Sequence, residues 1–446
     1  MATYIKRQTI DLGCVPLGAV SYWARKLQIT LLVVALLGAF SAQLITANAY
    51  DTIATYYDSR DEIRGAAMED YTPWEIRIAI YAALVCGILA GTMYLFSGGW
   101  TSVGVGARLA FVVMVVWMVA HAIATFYEVP PIPAELRGAK GPLVWVSCVI
   151  LFAGTDKRAW RVFCRLIYIF AYLTAGIVLL NILSFGRFFS QFQAVWFFRG
   201  YLHILLWTAP WILLTIKDAE IPLSRLAVRA FPFAVLCLAC FLSTGRSWTI
   251  IAMLYTVVVL LKFRKLLQGK PLMKYLLVVC ILLLMVMGLR LFSGQIHSSF
   301  FLLSERLWTD TRTGQLVEFF SQVSIRDLVI GTGPRGTWWW DGQDYPYIDG
   351  SYILMAFNGG LPLLVSYLVI MVLPALRVLR TRPSWDYVAP AVVLLFWALA
   401  LTGLSTYTNP TVSIEHYILC IYAGRCLSYL YNRRNRLSPS SVQIPS

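Results

Sequence analysis

The stretch QITLLVVALLGAFSAQLITAN, residues 28–48, carries no charged side chain from end to end. A hydrocarbon core of about 30 Å asks for roughly 20 apolar residues in an α-helix, so a run like this reads as a membrane span. Runs of the same kind recur near 78–97, 106–126, 142–155, 162–184, 196–216, 228–242, 248–261, 273–291, 350–376, 387–404 and 413–431. The predicted fold is therefore all-α, a polytopic bundle of about twelve transmembrane helices. Composition agrees: 59% hydrophobic and 13% charged residues, with a mean hydropathy of +0.69, leave too much apolar surface for one soluble core. Segments four, seven and eight are short for a span. The first run ends in Ala47-Asn48-Ala49, which resembles a leader-cleavage site, but its polar lead and long apolar stretch read as an uncleaved anchor.

Charge sets the orientation, because loops on the cytoplasmic side hold the Lys and Arg excess. With the N-terminus inside and the helices alternating, the inner segments take Lys6, Arg7, Arg25, Lys26, the Lys157/Arg158/Arg161/Arg165 cluster, the run from Lys262 to Lys274, Arg377, Arg380, Arg382 and Arg433, Arg434, Arg436. Most of the 37 basic residues then lie inside and most of the 22 acidic ones outside. The net charge of +15 is thus topological, and a nucleic-acid partner is not expected. This map gives a cytoplasmic segment 1–27, helices one to nine over 28–291, one large exterior loop at 292–349, helices ten to twelve over 350–431 and a cytoplasmic tail at 432–446. The nine Cys lie nearly all in apolar runs, without a CxxC pair or a Cys/His cluster of zinc spacing. Neither a disulfide framework nor a metal site is expected, and no cofactor. The four His, at 121, 203, 297 and 416, read as ordinary interfacial or hydrogen-bonded residues.

Candidate chemistry collects in the large loop and at two helix ends. Residues 306–328 read as an amphipathic helix on the membrane surface, with Leu307, Leu316, Val317, Phe320, Val323 and Ile325 apolar. Gly331-Thr332-Gly333-Pro334-Arg335-Gly336 is a glycine-rich turn, either a plain connection or a set of N–H groups open to an anion. Trp338, Trp339, Trp340, Tyr345 and Tyr347, with Asp341 and Asp344 between them, suit sugar faces and hydroxyls, or anchor the loop at the interface. Ser243-Thr244-Gly245-Arg246-Ser247 joins the two short segments seven and eight, which places its turn at membrane depth, where Arg246 needs an anion or a wet cavity. Arg199 and His203 sit toward the exterior end of the sixth helix. Asp349, before Gly350-Ser351-Tyr352, opens the tenth helix either as an N-cap or as a reacting group.

The strings TRTGQLVEFFSQVSIRDLVIGTGP (311–334), DGSYILMAFNGGLP (349–362) and STGRSWTIIAML (243–254), in their order and with the helix count, resemble the O-antigen polymerase (Wzy) and O-antigen ligase superfamily. The resemblance covers roughly residues 240–375. It implies a GT-C-like helical fold in the bacterial inner membrane, both termini cytoplasmic and the large loop periplasmic. The implied activity is metal-independent, inverting glycosyl transfer from an undecaprenyl-diphosphate-linked glycan to a lipid-linked repeat unit. The product would be O-antigen, capsule or exopolysaccharide, and the resemblance points to a flippase and a chain-length regulator as partners. By position, Arg246 and Arg312 contact the diphosphate, with Arg335 and Arg199 as further candidates. Asp349 and Arg312 stand near the reacting groups, and Trp338, Trp339, Trp340, Tyr345, Tyr347 and Tyr352 are the sugar candidates. Ligases of this kind carry His where Asp349 stands, which favours a polymerase. A ligase acting on lipid A core and a secondary transporter are the rival readings. Neither a half-repeat nor a second large loop supports the transporter.

Overall fold

Lipid offers no hydrogen bonds, so a chain this apolar has to satisfy its backbone internally, and helices do so within one segment. The structure, a computed structural model, is helical almost throughout. It describes residues 17–57, 74–127, 129–131, 135–136, 141–184, 191–216, 223–243, 246–268, 312–340, 342–345, 348, 350–381, 383–402 and 413–437. The helices are α1 (Leu17–Tyr57), α2 (Trp74–Tyr94), α3 (Val105–Phe126), α4 (Pro142–Ser147), α5 (Lys157–Ser184), α6 (Gln191–Leu214), α7 (Leu223–Leu242) and α8 (Arg246–Gln268). Then come α9 (Arg312–Gln322), α10 (Ile325–Ile330), a hairpin of β1 (Trp338–Trp340) and β2 (Gln343–Tyr345), α11 (Ser351–Tyr367), α12 (Leu373–Arg380), α13 (Trp385–Ala400) and α14 (Ile414–Leu437). Among these residues six helices are long and apolar enough to cross a membrane, and four shorter ones are apolar as well. Every expected span falls on a helix except the ninth, 273–291, which lies outside the described residues.

Two of the segments expected to be short are not. α7 runs 20 residues and α8 runs 23, about 30 and 35 Å at 1.5 Å per residue. Their apolar runs had looked short because Arg225, Arg229, Lys262, Arg264 and Lys265 lie inside the helices, near the ends. The ground for placing the Arg246 turn at membrane depth is thereby removed.

The fourth segment is short in residues but not in reach. After Ser147 the chain tightens into a 3-10 helix, Cys148–Thr155. Six residues at about 1.5 Å and eight at about 2.0 Å give roughly 25 Å. Long 3-10 runs are uncommon because their hydrogen bonds are poorer. This one is buried from Cys148 to Gly154, wedged between α2 and α14. The approach is backbone to backbone: a Cβ added at Gly424 on α14 would fall on the Leu151 carbonyl oxygen, and one at Gly154 on the Ile421 carbonyl oxygen.

α14 is the axis of the bundle. Tyr417, Ile418, Leu419, Ile421, Tyr422, Ala423 and Cys426 are all fully buried, so every face of the helix meets protein. Its Tyr hydroxyls donate to carbonyls of neighbouring helices, Tyr417 to Ala83 at 2.9 Å and Tyr422 to Trp207 at 3.1 Å. At the end of α6 the buried Lys262 ammonium donates to the carbonyls of Leu213, Leu214 and Ile216 and lies 4.7 Å from the Trp385 ring. A cation is favourable there because helix C-termini carry unpaired carbonyls and partial negative charge.

The close crossing makes a prediction. Gly424→Ala should destabilise the detergent-solubilised protein by about 1–3 kcal/mol, the usual cost of overpacking, read as a fall in thermal unfolding midpoint. Gly176→Ala on α5, where nothing lies within 4 Å of the new Cβ, should leave the midpoint unchanged or raise it. Equal effects at the two glycines would refute the close-contact account.

Candidate functional site

The starts of α8, α11 and α14 and the end of α13 come together beside the middle of α6. The first N–H of α11, at Ser351, donates to the Leu401 carbonyl just past α13 at 3.0 Å, and the Tyr352 hydroxyl donates to the Ala398 carbonyl at 2.7 Å. Beside them on α13, Trp397 Nε1 donates to Glu415 Oε1 at 3.1 Å. The other oxygen of Glu415 lies 2.7 Å from His203 Nδ1 on α6. The His203 ring meets Trp248 edge to face at 6.2 Å, two residues after Arg246 opens α8.

His203 and Glu415 are 4% and 5% exposed. A carboxylate taken out of water is costly unless paired and hydrogen-bonded, and here each oxygen has its own partner. With Nδ1 facing the carboxylate, His203 Nε2 is left buried without a hydrogen-bond partner among the described residues, as is Trp248 Nε1. Nε2 presents a lone pair when the imidazole is neutral and an N–H when it is cationic, so the pair can take up or hand on a proton at this junction. The signal available in the sequence was Glu415 itself, an acid one residue into an apolar helix, where ionisable groups are rare and functional.

Arg246 is the first residue of α8, Arg312 the first of α9, and Arg199 lies one turn before His203 on α6; the side chains of all three are outside the described set. Asp349 and Tyr347 are outside the described residues too. The N-cap position of α11 is held by Gly350, with no side-chain cap bond.

The loop packs as a small second core. Residues 306–311 are outside the described set, and the remainder of the expected single amphipathic helix is two helices, α9 and α10, divided at Ser324, whose hydroxyl and Asp327 form a reciprocal capping box. Phe319 faces inward with Trp338, Ile348, Leu354 and Phe357, while Val317, Phe320 and Ile325 are exposed. In the hairpin Trp338 pairs with Tyr345, Trp339 with Asp344 and Trp340 with Gln343. Alternation along a strand sends Trp338 into the core at 4% exposure and Trp339 out at 55%. Trp338 is thus part of the loop core, while Tyr352, half-buried on α11, is held by its bond to the Ala398 carbonyl. Trp339, beside Asp344 on the outer face, keeps the form of a sugar-stacking surface.

The glycine-rich turn is not open to an anion. α11 breaks at Gly360, where φ is 69° and ψ is −177°, a conformation that L side chains resist. The carbonyls freed by the break are met from outside: Thr332 N–H donates to Phe357, Gly333 N–H to Asn358 and Trp117 Nε1 to Gly359. The N–H groups of Thr332 and Gly333 are thus spent on the broken helix, that of Gly331 on the Asp327 carbonyl of α10 and that of Gly336 on the Gly333 carbonyl. Arg335 is likewise engaged, in a bidentate pair with Glu135 at 2.6 and 2.8 Å and 5.0 Å from the Phe126 ring. The carboxylate and the paired hydrogen bonds hold its guanidinium further toward the charged form. It ties the loop to the end of α3.

The Cys and His reading also needs correction. His416 and Cys420, four apart on α14, meet Cys148 at the head of the 3-10 helix, with their ligand atoms within 4.8 Å of one another. His203 and His416 are hydrogen-bonded, as expected of them, but His416 also stands within ligand distance of two thiols. Compared with known proteins, the chain matches no family model, no curated protein and no solved structure.

Proposed function

We propose that this chain is an inner-membrane polysaccharide polymerase that transfers a glycan from undecaprenyl diphosphate to a lipid-linked repeat unit. In this reading about twelve helices cross the membrane and residues 292–349 face the periplasm. The observation that carries it is the convergence, around the buried His203–Glu415 pair, of the helix starts bearing Arg246 and following Asp349.

The chemistry asks for two things at one place. The acceptor hydroxyl forms a bond to the anomeric carbon as the carbon–oxygen bond to the diphosphate breaks, so negative charge grows on the leaving group. Arg246 and Arg312 are the groups proposed to meet that charge, with Arg199 as a further candidate. The hydroxyl proton passes to a carboxylate, for which Asp349 is proposed. Arg335 is left out of the diphosphate set because Glu135 already occupies it.

A guanidinium binds a diphosphate through two parallel N–H groups, which Lys cannot offer. Arg246→Lys and Arg312→Lys should each insert normally yet cut polymer formation from purified lipid-linked repeats by more than about tenfold, a loss of at least one charge-assisted hydrogen bond. Parental polymer from both variants would remove the diphosphate site. A proton-coupled carrier is the second reading, favoured by the buried His203–Glu415 pair. A carrier moves its substrate unchanged, so longer glycan made by the purified protein excludes it.

A further inference from the structure

We propose that Cys148, His416 and Cys420 ligate one thiophilic d10 metal ion, zinc by the charge balance of the site, and that Ser147 supplies the fourth corner. Cys148 Sγ lies 3.6 Å and Cys420 Sγ 3.8 Å from His416 Nε2, and Ser147 Oγ lies 3.1 Å from the same nitrogen. Bonds of about 2.3 Å to sulfur and 2.0–2.1 Å to nitrogen place the corners of a tetrahedral zinc site roughly 3.6 Å apart along a sulfur–nitrogen edge. The observed separations are those of a coordination shell.

Three features favour an ion over a cluster of small buried side chains. The donors come from two elements packed backbone to backbone, α14 and the 3-10 helix, so their meeting is fixed by the tightest crossing in the bundle. Both sulfurs converge on one imidazole nitrogen, although the Cys148 thiol also has the Val144 carbonyl at 3.8 Å. Two thiolates and a neutral imidazole around Zn²⁺ make a neutral group, which a dry interior accepts, whereas Cu⁺ in the same cage leaves a negative charge. Hard ions such as Mg²⁺ and Ca²⁺ would have only the Ser147 oxygen here. Binding releases both thiol protons to solvent.

The site is distinct from the proposed transfer chemistry and stands whether or not that reading holds. Its effect would be to pin the first turns of α14, and with them Glu415, to the 3-10 helix.

The test uses the full-length chain, purified in detergent with any affinity tag removed, and element analysis by plasma mass spectrometry. About one zinc per chain is expected, and replacement by Co²⁺ should give the sulfur-to-cobalt charge-transfer band and the intense visible absorption of a tetrahedral thiolate site. Cys148→Ser and Cys420→Ser should lose that band, and Cys426→Ser, at a buried free cysteine elsewhere on α14, should keep it. The parental spectrum needs no variant to fold, so it decides the matter even if the substitutions destabilise. Substoichiometric metal with no cobalt band in the parent, a Cys148–Cys420 disulfide in the purified protein, or an unchanged band in both ligand variants would overturn the site.

Discussion

Replacing Glu415 by alanine is expected to lower stability by about 1–3 kcal/mol for each buried donor that it leaves unpaired, His203 Nδ1 and Trp397 Nε1. The variant strands the His203 imidazole in the interior and removes the acceptor of Trp397 Nε1 in the same stroke. Glu415→Gln keeps an oxygen for one donor and should cost less. The measurement is the thermal unfolding midpoint of the purified protein in detergent. His203→Ala with Glu415→Ala should lose less than the two single losses added together, because the stranded partner is gone. If Glu415→Ala melts with the parent, the two side chains do not form a buried pair and this account of the helix junction fails.

The largest effect on turnover is expected at Asp349. If its carboxylate takes the acceptor proton, Asp349→Asn should lower polymerisation about 10²–10⁴-fold while the protein inserts and melts normally. The rival explanation of such a loss is a missing helix cap, although Gly350, which has no side chain, occupies the N-cap position of α11. Asparagine would in any case preserve a capping oxygen. Lipid-linked repeats extended in vitro at the parental rate would retire the catalytic assignment, leaving His203 Nε2 as the next proton acceptor to examine.

The helices were legible because lipid leaves the chain few alternatives: a run such as 28–48 has to close its own hydrogen bonds. Their partners were not legible. His203 and Glu415 are 212 residues apart and Cys148 and His416 are 268 apart, so no local pattern joins them. In the loop the error was one of period. Asp341-Gly342 between Trp340 and Gln343 is a two-residue hairpin signal, and a hairpin divides consecutive tryptophans between two faces. The Gly331–Gly333 turn could be read either as a plain connection or as open to an anion, because free N–H groups suit a phosphate and a broken helix equally. Only the carbonyls at Phe357 and Asn358 decide between them.

The central position of α14 also fixes when this protein can finish assembling. The 3-10 helix is made early in translation, yet it is sheathed by residues 414–427, which leave the ribosome more than half the chain later. Until then its apolar surface and the acceptors that await Tyr417 and Tyr422 have no permanent cover. The earlier helices therefore form a cleft that has to stay open, guarded by lipid or by the insertion machinery, and the bundle closes as a final step around a late-arriving core. Chains stopped before residue 414 should be recognised as unassembled and degraded, whatever the state of the helices already in the membrane.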